Sequence, residues 1–136
     1  MSTEPGSAPT QIAAGHSWGL IPITEAETLD VHFDQVHSLA GAGMPANWHR
    51  NEDTAYHHWA YFDILGVAQA TGEVWDGNVP QSTDIFSKHP QMRDDEPAKY
   101  FAPLSDRLMD NHNLIASDRP ENQKMLDAFR ESMIAK

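Results

Sequence analysis

The chain of 136 residues contains eight histidines, and histidine is the side chain that most often binds transition metals and transfers protons near neutral pH. Two ligands on one helical face need a spacing of three or four residues, whereas His57 and His58 are adjacent and His32 and His37 are five apart. The sequence has no H-E-x-x-H pair, no calcium-type D-x-D-x-D-G loop and no cysteine. No metal site is therefore predicted in this chain.

Nucleophilic catalysis is not predicted either. The serines, histidines and aspartates are too scattered for a triad to be selected from the sequence, and the chain is interpreted as having no G-x-S-x-G nucleophile elbow. The glycine-bearing stretch at 40–45 (AGAGMP) is not followed by the lysine or the helix start that a phosphate-binding loop needs. We interpret this stretch as a flexible turn.

Bulky aromatic side chains cluster between residues 56 and 62. Trp59, Phe62 and Leu65 have the spacing of one helical face and are predicted to be core residues. Tyr56 and Tyr61 lie off that face, which favours a second contact surface with a partner. The alternative is that both tyrosines lie at the rim of the core with hydrated hydroxyls.

Four helices are expected to position these residues. Thr24 and Glu27 have capping-box spacing, which predicts a short helix over 25–38, and the acidic residues before Thr54 favour a helix over 54–71. A third helix is expected from Pro103, since proline is tolerated in a first turn. The fourth runs from about Asp118 to the C-terminus, where Met125, Leu126, Phe129 and Met133 form an amphipathic stripe.

The remaining segments read as irregular structure. Residues 76–97 contain three prolines and no sustained periodicity, so they are expected to form a long connector and a possible interface. No stretch shows the alternation of a strand. The predicted fold class is therefore mostly α: residues 1–45 form an extended N-terminal arm with a possible short helix, and residues 46–136 form a small helical domain with long loops.

The composition excludes several classes of partner. A formal net charge of −11 would repel nucleic acid and anionic membrane surfaces. The longest apolar runs are far shorter than the roughly 20 residues that a membrane span needs. No secretory signal pattern opens the sequence, so a cytoplasmic location is expected.

Three segments, read in order, resemble the N-terminal part of the nitrile hydratase beta subunit and of the related thiocyanate hydrolase beta subunit. Residues 37–41 (HSLAG) are similar to the family's glycine-bearing arm, and residues 51–56 (NEDTAY) with Trp59 to its polar segment and aromatic helix. Residues 101–115 resemble the family's long helix. The similarity covers about 32–130.

The match departs from the family pattern at several positions. Ser38 and Ala40 replace an acidic residue and a glycine of the arm motif, and Pro103 interrupts the long helix. The family's connector carries an arginine that reaches the metal centre of the partner subunit. No arginine stands at the corresponding place around 84–88, so that role is not transferred.

The resemblance implies a beta-type subunit that hydrates a C≡N group to an amide together with partners. Cobalt or iron would be held by the cysteine cluster of an alpha-type subunit, and a separate chain would supply the beta-barrel, as in thiocyanate hydrolase and toyocamycin nitrile hydratase. No residue of this chain is assigned a catalytic role. The residues expected to line the substrate pocket or a subunit interface are His37, Trp48, Tyr56, Trp59, Tyr61 and Phe86.

Two alternatives remain open from the sequence. An activator or metallochaperone of the same family would share the helical segment, although the glycine-bearing arm before Asn51 favours the subunit. An unrelated helical adaptor is the third possibility.

Overall fold

Four parallel strands form the centre of the protein. A computed structural model describes residues 10–61, 64–69, 78–91 and 104–134. The strands are β1 (Ile12–His16), β2 (Gln35–Leu39), β3 (Ala55–Ala60) and β4 (Ser87–Pro90), and they lie side by side in chain order in one sheet. The helices are α1 (Leu20–Thr28), α2 (Ile64–Gln69), α3 (Leu104–Leu114) and α4 (Gln123–Ile134), with 3-10 turns at Ser17–Gly19, Pro80–Ser82 and Pro120–Asn122.

The prediction of a mostly α fold with an extended arm is wrong, because the parallel sheet makes this an α/β fold. The segment expected to be an arm supplies β1, α1 and β2. Parallel strands are covered on both faces and do not alternate between apolar and polar residues, so the period-two signal is missing. In β2 and β3 the buried positions also include polar residues, which removes the continuous apolar run that would otherwise indicate a buried strand.

Two predicted helices are replaced. The segment 25–38, expected to be one helix, contains the end of α1, which stops at Thr28, and most of strand β2. The helix expected over 54–71 is β3 followed by the short α2. The spacing of Trp59, Phe62 and Leu65 fitted a helical face, but Trp59 lies in a strand, where it and Tyr56, three residues earlier, lie on opposite faces of the sheet.

The two C-terminal helices are confirmed as α3 and α4. Of the long connector, the described part at 78–91 contains the 3-10 turn at Pro80–Ser82 and the edge strand β4. Phe62 lies outside the described residues, and so does the part of the connector from 92 to 97.

The strand register divides the sheet into two faces. His37 pairs with His57, and Trp59 pairs with His89, so these side chains share one face. Ser38 pairs with His58 on the opposite face.

Each face packs against a helix. On the first face, Trp59 packs with Met125, Leu126 and Phe129 of α4. On the second, Leu20 at the start of α1 packs with Val36 of β2. The core therefore has three layers, with the sheet between α1 and α4. Among the described residues, no helix is long and apolar enough to cross a membrane.

Candidate active site

A serine lies on the turn between the first strand and the first helix. Residues Gly15, His16, Ser17, Trp18 and Gly19 have the spacing G-x-S-x-G. β1 ends at His16 and α1 begins at Leu20, so Ser17 stands at the carboxyl end of a parallel strand. Its φ of 57° lies in the left-handed region, which side chains rarely adopt. A strained strand–turn–helix of this kind presents the serine hydroxyl above the edge of the sheet.

Close backbone approach explains the first glycine of the motif. A Cβ at Gly15 would lie 2.5 Å from the carbonyl oxygen of Gly19 and 2.8 Å from the backbone nitrogen of Leu20. Only glycine fits where the turn folds back over the end of the strand. The turn is also tied to the loop after β2, because the backbone N–H of Ala42 donates to the carbonyl of Ser17 at 2.8 Å.

Helix α3 brings a histidine to this serine. Nε2 of His112 lies 2.8 Å from Oγ of Ser17, although the two residues are 95 positions apart in the sequence. His112 stands in the last turn of α3. The helix is anchored beside it by Leu108 and Leu114, which are both buried.

A second histidine supports the first. Nε2 of His16 donates to the backbone carbonyl of His112 at 2.7 Å, because a carbonyl oxygen can only accept. The two rings lie 5.1 Å apart between centroids. His16 therefore holds the end of α3 against the turn that carries Ser17.

The arrangement has the two parts that activate a serine. A serine hydroxyl is a weak nucleophile by itself and reacts when a neighbouring imidazole takes its proton. The oxygen–nitrogen distance of 2.8 Å is within hydrogen-bond reach. Ser17 and His112 are both partly accessible, as a nucleophile and its base must be.

Two apolar side chains lie beside this pair in the sequence and are open to solvent. Trp18, the residue after Ser17, is 63% exposed, and Met109, one helical turn before His112, is 50% exposed. Large exposed apolar side chains next to a reactive pair indicate where the apolar part of a ligand can contact the protein.

A row of three histidines, with His37 buried and the other two half-buried, crosses another part of the sheet. His37 is fully buried and accepts a hydrogen bond from Nε1 of Trp59 at Nδ1, at 3.0 Å. Its Nε2 therefore carries the proton and donates to Oε1 of Gln35 at 2.7 Å. Burial, reinforced by the nearby His57 and His89, lowers the pKa of His37 to about 4. With both ring nitrogens bonded, His37 is a neutral core residue.

His57 and His89 complete the row. Nδ1 of His57 lies 3.0 Å from Nε2 of His89, and the His89 ring stacks on Trp59 with centroids 4.0 Å apart. Burial lowers the pKa of both imidazoles, and the proximity of His89 lowers that of His57 further. This row packs beneath α4 through Phe129, whose ring meets His37 edge-on.

The other face of the sheet holds a buried serine–histidine contact. Oγ of Ser38 lies 2.8 Å from Nδ1 of His58 and accepts the backbone N–H of Gly41 at 2.9 Å. Both side chains are buried, and burial together with the nearby Lys88 and His89 lowers the pKa of His58 to about 4. Because Ser38 is fully buried, this pair lacks the access that a nucleophile requires.

The six residues expected to line a pocket or an interface belong to two packed clusters. His37, Trp59 and Tyr61 lie among buried residues beneath α4, and the Tyr61 hydroxyl donates to Oδ1 of Asn122 at 2.8 Å. Neither cluster includes Ser17 or His112. The other three, which pack together on the α1 side, are Trp48, Tyr56 and Phe86.

A carboxylate joins two members of the second cluster. Glu27 of α1 accepts hydrogen bonds from the Tyr56 hydroxyl at 2.6 Å and from Nε1 of Trp48 at 2.9 Å. Burial raises the pKa of Tyr56, and the Glu27 carboxylate raises it further. These bonds fix the aromatic residues against α1.

The sequence interpretation missed Ser17 and His112. The interpretation that the chain has no G-x-S-x-G elbow is wrong, because residues 15–19 have that spacing. They lie in the segment interpreted as an arm, where no strand was expected to precede the motif. His112 carries no local motif, so only the fold identifies it. Within the described ranges, no group of three or more histidine, aspartate or glutamate side chains is arranged to hold a metal ion.

Comparisons with protein-family models, with curated protein sequences and with solved structures find no match to this chain.

Proposed function

We propose that this protein is a serine hydrolase that cleaves carboxylic esters through a covalent acyl-enzyme intermediate. The observation that carries the proposal is the 2.8 Å contact between Oγ of Ser17 and Nε2 of His112 on a strained strand-to-helix turn. The same constellation of nucleophile and base recurs on unrelated folds, so geometry is the criterion for it.

The reaction would proceed in two halves. Oγ of Ser17 attacks the ester carbonyl carbon while Nε2 of His112 takes the hydroxyl proton, and His112 then gives that proton to the departing alcohol. In the second half a water molecule attacks the acyl carbon, His112 accepts the water's proton and returns it to Ser17, and the acid leaves. The backbone N–H of Trp18, which follows the nucleophile, is the donor proposed for the oxyanion.

The residues around the pair favour an apolar substrate. Trp18, which follows Ser17, and Met109, one helical turn before His112, offer exposed apolar surface. The net charge of −11 disfavours substrates with high negative charge. We therefore propose uncharged esters with an aliphatic or aromatic acyl group as the substrate class.

The nitrile hydratase role stays a prediction of the sequence resemblance. That resemblance implied a mostly helical domain, and the four-stranded parallel sheet overturns this part of it. No contact among the described residues favours C≡N hydration, whereas a specific contact favours acyl transfer.

The test is ester hydrolysis by the purified chain, with p-nitrophenyl acetate, butyrate and octanoate. Ser17→Ala should lower kcat by at least about 10³-fold, because the residual rate comes from binding and the oxyanion donors alone. Ser82→Ala, at an exposed serine in a 3-10 turn, is the matched control and should retain the parent rate.

A fluorophosphonate probe gives an independent readout, since it phosphonylates an activated serine. Peptide mapping should place the label on Ser17, and His112→Gln should abolish labelling while the thermal melt stays cooperative. Labelling of another serine, or ester hydrolysis that survives Ser17→Ala, would overturn the proposal.

A further inference from the structure

A crevice of about 350 Å³ opens beside the carboxyl ends of β3 and β4. Its wall includes the buried His58 of β3 and the buried Tyr61, which directly follows β3. It also includes Lys88 of β4 and Gln91, which directly follows β4. Gln81 of the 3-10 turn at Pro80–Ser82 closes one side. The crevice lies outside the Ser17–His112 pair, and nothing argued for ester cleavage uses it.

His58 presents an unused hydrogen-bond donor in this wall. The Ser38 hydroxyl accepts the N–H of Gly41, and among the described residues its own proton has one acceptor within reach, Nδ1 of His58. Nε2 of His58 must then carry the imidazole proton. In the described part of the chain Nε2 has no partner, although His58 is only 5% exposed. A buried donor without a partner calls for a ligand or a water molecule.

The described residues that line the crevice carry a charge opposite in sign to the net charge of the chain. The chain carries 20 acidic and 9 basic side chains, yet among the described residues no carboxylate lines this crevice, and Lys88 is part of its wall. The Lys88 ammonium donates to the Thr83 carbonyl at 2.6 Å, which fixes its position and leaves two further donors. Lys88 is near enough to His58 to lower the pKa of that imidazole.

The donors in the wall suit an oxyanion. His58 Nε2 is a fixed neutral donor, and Lys88 supplies positive charge at the mouth. Gln81 and Gln91 add amide groups, and Nε2 of Gln91 donates to the His89 carbonyl at 3.0 Å. In open α/β sheets, ligands bind outside the carboxyl ends of the strands, and this crevice occupies that position.

We infer that this crevice binds the anionic group, a carboxylate or a phosphate, of a small organic molecule, with His58 and Lys88 as its main contacts. Its volume lies at the lower end of the range for small-molecule sites. The inference does not depend on the proposed esterase activity, since it uses neither Ser17 nor His112.

The experiment follows the histidine ring signals of the full chain by NMR at pH 7 during separate titrations with inorganic phosphate, sodium acetate and sodium chloride. Phosphate or acetate should shift the His58 signal saturably, because an anion that accepts the Nε2–H hydrogen bond changes the electronic environment of the ring. Saturation with acetate alone identifies a carboxylate site, and saturation with phosphate alone a phosphate site. Equal, unsaturated shifts with chloride would overturn the inference.

Two variants test the contacts. Lys88→Gln should weaken the binding by about tenfold or more, whereas Lys124→Gln, at an exposed lysine of α4, should leave it unchanged. His58→Phe keeps a ring in the wall but removes the donor, and it should abolish saturation while the thermal melt remains cooperative. Unweakened binding by Lys88→Gln would contradict the site.

Discussion

At the scale of single residues, the active-site turn stores strain at Ser17. A non-glycine residue in the left-handed region costs about 1–3 kcal/mol, and it persists only where neighbours fix it. Two hydrogen bonds fix Ser17 here: the Ala42 N–H donates to the Ser17 carbonyl, and the His112 ring bonds the Ser17 hydroxyl. This strained backbone conformation places the Ser17 hydroxyl at the edge of the sheet, within hydrogen-bond distance of His112.

The two glycines of the motif give a matched pair of substitutions. Gly15→Ala should lower the free energy of unfolding by about 1–3 kcal/mol or more, because the added Cβ meets backbone atoms that cannot move aside. At Gly19 the added Cβ meets nothing within 4 Å, and its φ is −63°. Gly19→Ala should therefore change stability by less than about 1 kcal/mol.

Urea unfolding of both variants checks this, with the rate of p-nitrophenyl butyrate hydrolysis as a second readout. Equal stability of the two variants would show that the turn is less tightly packed than the contacts at Gly15 require.

At the scale of elements, an ionic clamp holds α3 to the segment that leads into α4. The Arg119 guanidinium bonds both oxygens of Asp110 in α3, at 2.7 and 3.3 Å, and also bonds the Glu121 carboxylate. These carboxylates raise the pKa of Arg119, with the hydrogen bond to Asp110 as the largest cause. Because Asp110 lies two residues before His112, the clamp also positions the proposed base.

Arg119→Gln should therefore weaken both stability and catalysis. We expect a loss of about 1 kcal/mol, typical of a charge-assisted bidentate contact at a partly exposed site, and a severalfold fall in kcat as His112 loses its fixed position. Arg130→Gln breaks an exposed pair with Asp127 within α4 and is the matched control, with little effect on either quantity.

Urea unfolding and ester kinetics on the two variants measure this difference. If Arg119→Gln kept the parent kcat while losing stability, the clamp would be structural only.

At the scale of the whole molecule, buried histidines on both faces of the sheet make folding sensitive to acid. His37 and His58 have pKa values of about 4 in the folded state, against an ordinary value of 6.5. The unfolded chain therefore binds more protons between these values, so the stability is full above about pH 6.5 and falls as the pH drops toward 4. Each of these two pKa differences contributes on the order of 3 kcal/mol to the free energy of unfolding above pH 6.5.

Urea unfolding at pH 7.5, 5.5 and 4.5 should show this loss. His37→Gln should flatten this dependence in part, because His57, His58 and His89 also have lowered pKa values. His32→Gln, at an exposed histidine, should leave the slope unchanged. A stability that stays constant from pH 7.5 to 4.5 would show that the buried imidazoles are hydrated or rearranged.

The sequence by itself determined the features that depend on neighbours along the chain. The stripe of Met125, Leu126 and Phe129 gave α4 its amphipathic face, and proline before Leu104 marked the start of α3. The burial of Trp59 was also predictable from the large apolar side chain, although Trp59 lies in strand β3 and not in the predicted helix. The spacing of Gly15, Ser17 and Gly19 was equally local, and it becomes informative once a strand is known to precede it.

Tertiary structure decided the fold class and the site. Parallel strands are joined by crossovers, so the pairing of β2 with β1 and β3 depends on contacts between residues about 20 positions apart. The contact of Ser17 with His112 spans 95 positions, and it forms only because α3 packs at the carboxyl edge of the sheet. Periodicity reports the local environment of a segment, whereas the meeting of two distant side chains depends on how the whole chain packs.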